Sequence, residues 1–211
     1  MTDFGGLISR KVLGQALSLS EIDQAIKSDV RFHPRGTGHS CMGQSLEEAA
    51  VSFGVPSGEF ILTGEGVFAP AGATLLEIDD FLAQQGFMIP VSPDHRSLSL
   101  GGVLSVGGYG SSSFKYGGLV DHVVSLDLLN DDGEVTKSVP VENGRALQAL
   151  AGVGQFDTIL AAKIKVVQKP DKTLVKKTLF GTVDEYVGMA RRFIEENNDQ
   201  LVERQDQMDI F

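Results

Sequence analysis

Two glycine-rich stretches hold most of the residues in this chain that could carry chemistry. The first runs Arg35-Gly36-Thr37-Gly38-His39-Ser40 and is followed by Gln44. The second extends from Asp94 to Gly110 and contains these small or hydroxyl-bearing residues: Ser99, Gly101, Gly102, Ser105, Gly108 and Gly110. Glycines remove the Cβ atoms that would keep backbone N–H groups from converging on an anion, and hydroxyls add further donors. Both stretches therefore predict a phosphate-binding site, although neither matches the Rossmann or Walker pattern.

Three side chains in these stretches could act on a bound molecule. His39 could be an imidazole that faces a ligand, or a loop histidine with local hydrogen bonds only. Asp94 could be a general base, or it could open an Asx turn. Tyr109 could line a pocket or pack as an ordinary aromatic residue. We expect His95, which follows Asp94, to be a surface residue without a catalytic role.

Composition and charge restrict the classes of function. The chain has 211 residues, of which 42 % are hydrophobic and 22 % charged, as in ordinary globular proteins. A formal net charge of −10 argues against nucleic acid or an anionic membrane as partner. The single cysteine, Cys41, excludes an internal disulfide and a multi-thiolate metal site, so we predict no metal. The chain shows neither a membrane-spanning run nor a signal pattern, and we expect a cytoplasmic protein.

The order of predicted elements mixes helices and hairpins. Capping-box patterns begin helices at Ser18, Thr74 and Thr182. Residues 123–129 read as a strand that continues through a turn at 130–133 into a second strand at 134–138. A short strand at 30–33 leads into the first glycine stretch, and Pro34 excludes it from the centre of a sheet. We predict an α+β fold divided into residues 1–58, 59–170 and 171–211.

Five blocks of residues, in order along the chain, resemble the PCMH-type flavin-binding family, which includes vanillyl-alcohol oxidase and the cytokinin dehydrogenases. The first block is the Arg35–Ser40 loop with Gln44, and the second is the stretch from Asp94 to Gly110. The remaining blocks are residues 114–117, residues 123–135 and the segment Gly152-Val153-Gly154-Gln155-Phe156. The resemblance implies a fold of two α+β subdomains whose glycine loops wrap the pyrophosphate of FAD. It further implies that His39 is the position of a covalent bond to the flavin and that Asp94 is a proton acceptor.

The chain departs from this family in two respects. It stops about where the family's C-terminal substrate domain would begin, so we expect that domain to be absent and the flavin to be uncovered. Asp157 follows Phe156 where the family usually has glycine, and a carboxylate near pyrophosphate would oppose binding by roughly 1 kcal/mol. These departures leave two expectations for FAD: that it is absent, or that it is bound in a structural role only. An apolar face left without its domain predicts a homodimer.

These departures favour one branch of the family over another. Our main hypothesis is a non-redox cyclase of the [4+2] cycloaddition type, acting on a linear polyketide-like small molecule. Asp94, His39 and Tyr109 would be its candidate catalytic residues. The alternative is an FAD-dependent oxidoreductase, similar to cytokinin dehydrogenase, that needs a partner or a dimer to complete its site. A non-catalytic binding subunit is the third possibility.

Overall fold

The computed structural model describes residues 1–55, 57–172 and 177–197. The strands are β1 (Gly14–Ala16), β2 (Phe32–Pro34), β3 (Val51–Phe53), β4 (Ile61–Thr63), β5 (Gly66–Pro70), β6 (Phe87–Met88), β7 (Val123–Leu129), β8 (Val135–Pro140), β9 (Thr158–Ile164) and β10 (Val167–Gln168). The helices are α1 (Leu19–Lys27), α2 (Leu75–Ala83), α3 (Leu100–Leu104), α4 (Ser113–Tyr116), α5 (Gly144–Ala149) and α6 (Val183–Asn197). These elements confirm the predicted α+β fold.

A small parallel sheet carries the first glycine stretch. Its three strands lie in the order β1-β3-β2, with β2 at an edge. Pro34 ends β2, and its missing N–H is tolerated at an edge, as the sequence predicts. Helix α1 packs on this sheet through Ile22, which shares a buried cluster with Phe53 and Leu129. The first glycine stretch therefore starts from a strand that a buried cluster holds in place.

A five-stranded antiparallel sheet forms the larger half of the fold. Its order is β4-β5-β9-β7-β8, so β9 lies between two strands that precede it in the chain. The predicted hairpin is present as β7 and β8, and its turn is closed by a hydrogen bond from the Gly133 N–H to the Asn130 carbonyl. The main hydrophobic core packs on this sheet and includes Ile78 and Leu82 of α2 and Leu100 and Leu104 of α3.

Helix α2 places the second glycine stretch. Its N-cap, Thr74, accepts a hydrogen bond from the Glu77 N–H, and the Glu77 carboxylate accepts one from the Thr74 N–H at 2.7 Å. Thr74 is also bridged to Ser99, the residue that begins α3. The Leu100 N–H donates to the Ala73 carbonyl at 2.8 Å and the Gly101 N–H to the Ala71 carbonyl at 2.8 Å. The second stretch is thus fixed at its middle to the segment that leads into α2.

Several local expectations need correction. The second glycine stretch is not a continuous loop, because residues 100–104 form α3 and residues 113–116 form α4. Strands β1, β3 and β6 were not predicted at all. The division at residues 58 and 170 stays a prediction, and part of the 171–211 segment lies outside the described residues.

Among the described residues, no helix has the length and apolar character to span a membrane. Within the same part of the chain, no three or more His, Cys, Asp or Glu side chains converge to hold a metal ion.

Candidate functional site

One cavity lies between the small sheet and the larger sheet. It has a volume of about 350 Å³, and residues 33–41, 98–106 and 153–159 supply most of its walls. Eleven of the residues predicted for ligand binding line it: Arg35, Gly36, Thr37, Gly38, His39, Ser40, Gln44, Ser99, Gly101, Gly102 and Ser105. The structure therefore brings together two stretches that lie about 60 residues apart in the sequence. A cavity of this size falls within the range of small-molecule sites.

The two stretches touch at Gly36 and Ser99. A Cβ atom on Gly36 would lie 2.0 Å from the Ser99 hydroxyl oxygen and 3.2 Å from the Ser99 Cβ, so any other residue at this position would have to displace the Ser99 side chain. The Ser99 N–H donates to the Thr37 hydroxyl at 3.3 Å, which fastens the contact from the other side. Gly38 has a φ of +82°, a left-handed conformation that glycine adopts without strain. These two glycines let the first stretch curl tightly against α3.

The curled segment presents a row of free donors. Within the part of the chain that the structure describes, the backbone N–H groups of residues 36–40 donate to no protein acceptor. All five residues line the cavity. Runs of unpaired backbone N–H groups in glycine-rich segments are a common way for proteins to bind anions. Ser99, which is buried, makes no hydrogen bond from its hydroxyl to the start of α3 and adds a further polar group. The donors fit a phosphate group.

Some of the predicted ligand-binding side chains serve the protein itself. The Arg35 guanidinium donates to the Ser45 hydroxyl at 3.1 Å and to the Thr2 carbonyl at 3.2 Å. The Ser105 hydroxyl donates to the Gly101 carbonyl at 2.8 Å. The Gln44 side-chain oxygen accepts from the Met42 N–H at 3.0 Å. Arg35 therefore ties the first glycine stretch to the N-terminal segment, while the backbone provides the free donors.

His39 lies on the cavity wall and forms hydrogen bonds through both ring nitrogens. Its Nδ1 lies 3.0 Å from the Thr37 hydroxyl, and its Nε2 lies 2.8 Å from Nε2 of His95. The Phe4 ring packs at 4.9 Å between ring centroids. Burial lowers the pKa of His39, and repulsion from a charged His95 lowers it further. His39 is therefore held neutral and oriented by a partner from the second stretch.

Asp157 lines the cavity, but its charge is not isolated. Its two carboxylate oxygens accept hydrogen bonds from Nε and Nη2 of Arg145, the second at 3.0 Å. Arg145 also donates to the Thr136 hydroxyl at 3.0 Å, and its hydrogen bond to Asp157 raises the Arg145 pKa. A bidentate arginine–carboxylate pair is close to neutral as a unit. The expected repulsion between Asp157 and pyrophosphate is thus largely offset by a cation that the sequence does not reveal.

Four predicted site residues do not line this cavity. Asp94 is exposed, and Tyr109 is 66 % exposed with its ring over Gly107. Gly108 packs against Val103 and Leu119, and Gly110 lies against the Ser92 carbonyl. The roles proposed for these four residues stay predictions, and the cavity gives them no support.

Sequence reasoning missed three contributors to the site. His95 is exposed, as predicted for a surface residue, but it also bonds to His39; the sequence gives no role in the site to Arg145 or Phe4. Nothing in their local sequence marks them. Each of them contacts a cavity-lining residue that is distant in the sequence, His39 for Phe4 and His95 and Asp157 for Arg145, and such contacts are not visible in residue spacing.

Comparison with known proteins agrees with this geometry. A family model described as an FAD binding domain matches residues 19–138. Cytokinin dehydrogenase 3 of Oryza sativa subsp. japonica is 31 % identical over 168 residues, which cover 74 % of this chain and 32 % of that protein. Cytokinin dehydrogenase 2 of Arabidopsis thaliana is 29 % identical over 204 residues, or 92 % of this chain and 40 % of that protein. An uncharacterized oxidoreductase, ORF5 of the fasciation locus of Rhodococcoides fascians, is 25 % identical over 196 residues, or 88 % and 44 %.

The mixed α+β architecture, the paired glycine stretches and the row of free donors define a flavin-binding fold. The chain belongs to the PCMH-type family of FAD-binding domains, as the match over residues 19–138 shows. It spans 32 to 44 % of the length of these relatives.

Proposed function

We propose that this chain is the FAD-binding domain of an FAD-dependent oxidoreductase. The observation that carries the proposal is that, within the described structure, the backbone N–H groups of residues 36–40 donate to no protein acceptor and all five residues line a cavity of suitable size. A pyrophosphate offers several acceptor oxygens to such a row. The enzymatic activity of the relatives is consistent with this function.

The residues present would divide the work of holding FAD. The N–H groups of residues 36–40 and the Ser99 hydroxyl would take the pyrophosphate oxygens. Val103, Val106 and Ile159 give the cavity apolar surface, which favours aromatic ring systems. The Arg145–Asp157 pair presents a polar wall of low net charge. FAD, when bound, supplies the two-electron carrier that an oxidoreductase of this kind needs.

The cyclase function has less support than the oxidoreductase function. It rested on the missing substrate domain and on the charge of Asp157. Arg145 offsets that charge, and the relatives reported above are named as dehydrogenases or as an oxidoreductase. No contact in the cavity favours a linear polyketide over FAD. The [4+2] cyclisation is therefore not carried forward, and the oxidoreductase alternative takes its place.

Binding of FAD to the purified protein tests the proposal directly. After reconstitution with FAD and removal of the free cofactor, we expect an absorption band near ~450 nm that stays with the protein. Riboflavin, which has the same ring and no phosphate, should bind much more weakly because it cannot use the donors of residues 36–40. Precipitation with acid then separates bound FAD that is released from FAD that is linked to the chain. Equal affinity for FAD and riboflavin, or no affinity for either, would overturn the proposal.

A further inference from the structure

The contact between His39 and His95 is unusual in its chemistry. The two Nε2 atoms are 2.8 Å apart, and the ring centroids are 4.4 Å apart with the planes inclined by 58°. At this distance one nitrogen must donate and the other must accept, because two lone pairs or two N–H groups would repel each other. The pair therefore holds a single proton between its Nε2 atoms.

The other nitrogen of His39 is engaged as well. The Thr37 hydroxyl accepts from the Ser99 N–H and also lies 3.0 Å from His39 Nδ1. A hydrogen-bonded chain thus runs from the backbone of Ser99 through Thr37 and His39 to His95. It crosses twice between the two glycine stretches. With both ring nitrogens occupied, the plane of the His39 ring is determined by protein contacts before any ligand arrives.

We infer that His95 is a positioning residue for His39, holding its imidazole against the cavity wall through the shared Nε2 proton. His39 lines the cavity, and His95 acts only through it. The inference rests on the proposed function for its purpose, because a fixed and neutral imidazole at this wall is a group that can meet FAD in a defined orientation. Loss of His95 would leave the ring held on one side by Thr37 alone.

The surroundings of the pair set its dependence on pH. The charged groups next to it in the chain are Asp94, which is exposed, and Arg96, which pairs with Asp79 at 2.7 Å. From the first stretch, the Arg35 guanidinium is bound to Ser45 and Thr2. None of these is among the causes that shift the pKa of His39. The lowered pKa means that His39 is neutral above about pH 6.5 and gains a second ring proton only as pH falls through the lowered value, when neither of its nitrogens can accept a hydrogen bond any longer.

Nuclear magnetic resonance on the protein without cofactor tests the inference. In ¹⁵N-labelled protein at pH 7.5, we expect a scalar coupling between the Nε2 atoms of His39 and His95 across the hydrogen bond, and cross-peaks between the His39 ring and Phe4. His95→Leu should abolish the coupling, weaken the cross-peaks to Phe4 and raise the pKa of His39. His95→Gln, which keeps a polar group near the position of Nε2, should retain the cross-peaks.

Two other histidines serve as controls for folding. His33 Nε2 bonds to the Gln44 carbonyl and His122 Nε2 to the Tyr116 carbonyl, so their signals should be the same in all three proteins. An undetectable coupling, together with an unchanged His39 ring in His95→Leu, would overturn the inference. FAD affinity is measured separately on the same samples, where His95→Leu is expected to bind about tenfold more weakly than His95→Gln. Failure of the unsubstituted protein to bind FAD counts against the proposed function and leaves the resonance result to decide the role of His95.

Discussion

Gly36 shows how closely the site depends on single atoms. The glycine lies where the first stretch meets Ser99, and the space for a Cβ is already filled by the serine hydroxyl. Gly36→Ala should displace the Ser99 side chain from its contact with the first stretch, disturb the donor row and weaken FAD binding by about tenfold. Titration calorimetry with FAD measures this loss. Gly144→Ala is the matched control, since a Cβ there meets nothing within 4 Å, and its affinity should equal that of the unsubstituted protein.

Arg145 and Asp157 give a second test at the same scale, with effects of opposite sign. Arg145→Gln leaves a carboxylate without its cation on the cavity wall, and FAD should bind about 3- to 10-fold more weakly. Asp157→Asn leaves the cation without its carboxylate, and FAD should bind as tightly or more tightly. The dissociation constants of FAD from both variants, measured at low ionic strength, test this difference in sign. A loss of affinity in Asp157→Asn comparable to that in Arg145→Gln would show that the pair affects FAD binding through its geometry and not through its charge.

The residues of the candidate site were predictable only in part. Glycine and hydroxyl residues at positions 35–40 and 99–105 identify a phosphate-binding loop because their physical role is local. His95 and Arg145 could not be identified in this way, because each acts through a partner from another element. Asp94 and Tyr109 have side chains that could act on a ligand, but neither lines the cavity.

Helix α2 supports the second glycine stretch through its N-cap. Thr74→Ala removes the hydroxyl that accepts from the Glu77 N–H, and we expect a loss of about 1 kcal/mol in the free energy of unfolding. Thr182 caps α6 with the same hydrogen bond from Glu185. Because none of the described side chains of α6 is buried, Thr182→Ala should change global stability much less. Urea denaturation of both variants measures the difference, and equal losses would contradict the role given to α2.

Glu77 makes the stability of this element depend on pH. Hydrogen bonds from the Thr74 N–H and hydroxyl lower the pKa of the Glu77 carboxyl below its usual range. A carboxyl with a lowered pKa in the folded state stabilises that state above about pH 4.5, and the contribution is lost as pH falls through the lowered value. Glu77→Gln should therefore cost stability at pH 7 and much less at pH 3. Thermal unfolding across this range checks the sign; a constant difference would refute it.

Secondary-structure elements with strong local sequence signals could be predicted, whereas elements that depend on long-range strand pairing could not. The three capping-box patterns start α1, α2 and α6, and the turn at residues 130–133 joins β7 to β8, because caps and turns are specified by adjacent residues. Strands β1 and β3 escaped prediction because each has only three residues and is defined by parallel pairing with a distant partner. Helix α3 escaped because two glycines at its start disfavour helix in isolation.

The charge of the whole molecule gives a prediction that separates backbone donors from cations. The chain carries a formal net charge of −10, and FAD brings further negative charge. If backbone N–H groups bind the pyrophosphate, and Lys or Arg side chains do not, added salt weakens the attraction between pyrophosphate and protein only slightly. The same salt screens the repulsion between FAD and the negatively charged protein. FAD affinity should therefore stay level or increase between about 50 and 500 mM NaCl. A steep loss of affinity with salt would point to a cationic site instead.

Three expectations about the whole molecule stay predictions: a cytoplasmic location, a homodimer, and a small-molecule substrate without nucleic acid or membrane as partner. The surface near the cavity does carry exposed apolar side chains, among them Val106, Tyr109 and Phe156. Light scattering coupled to size-exclusion chromatography would measure the mass in solution.

The position of β9 has a consequence for the order in which the protein forms. This strand pairs with β5, about 95 residues earlier, and with β7, about 35 residues earlier, so both neighbours present open edges until it arrives. During synthesis the large sheet therefore cannot close before residue 164 has left the ribosome. Pairing between strands that are distant in sequence slows folding and prolongs the exposure of unpaired, aggregation-prone strand edges. Nascent chains halted before residue 158 should depend on chaperones, whereas chains released beyond residue 172 should become resistant to protease.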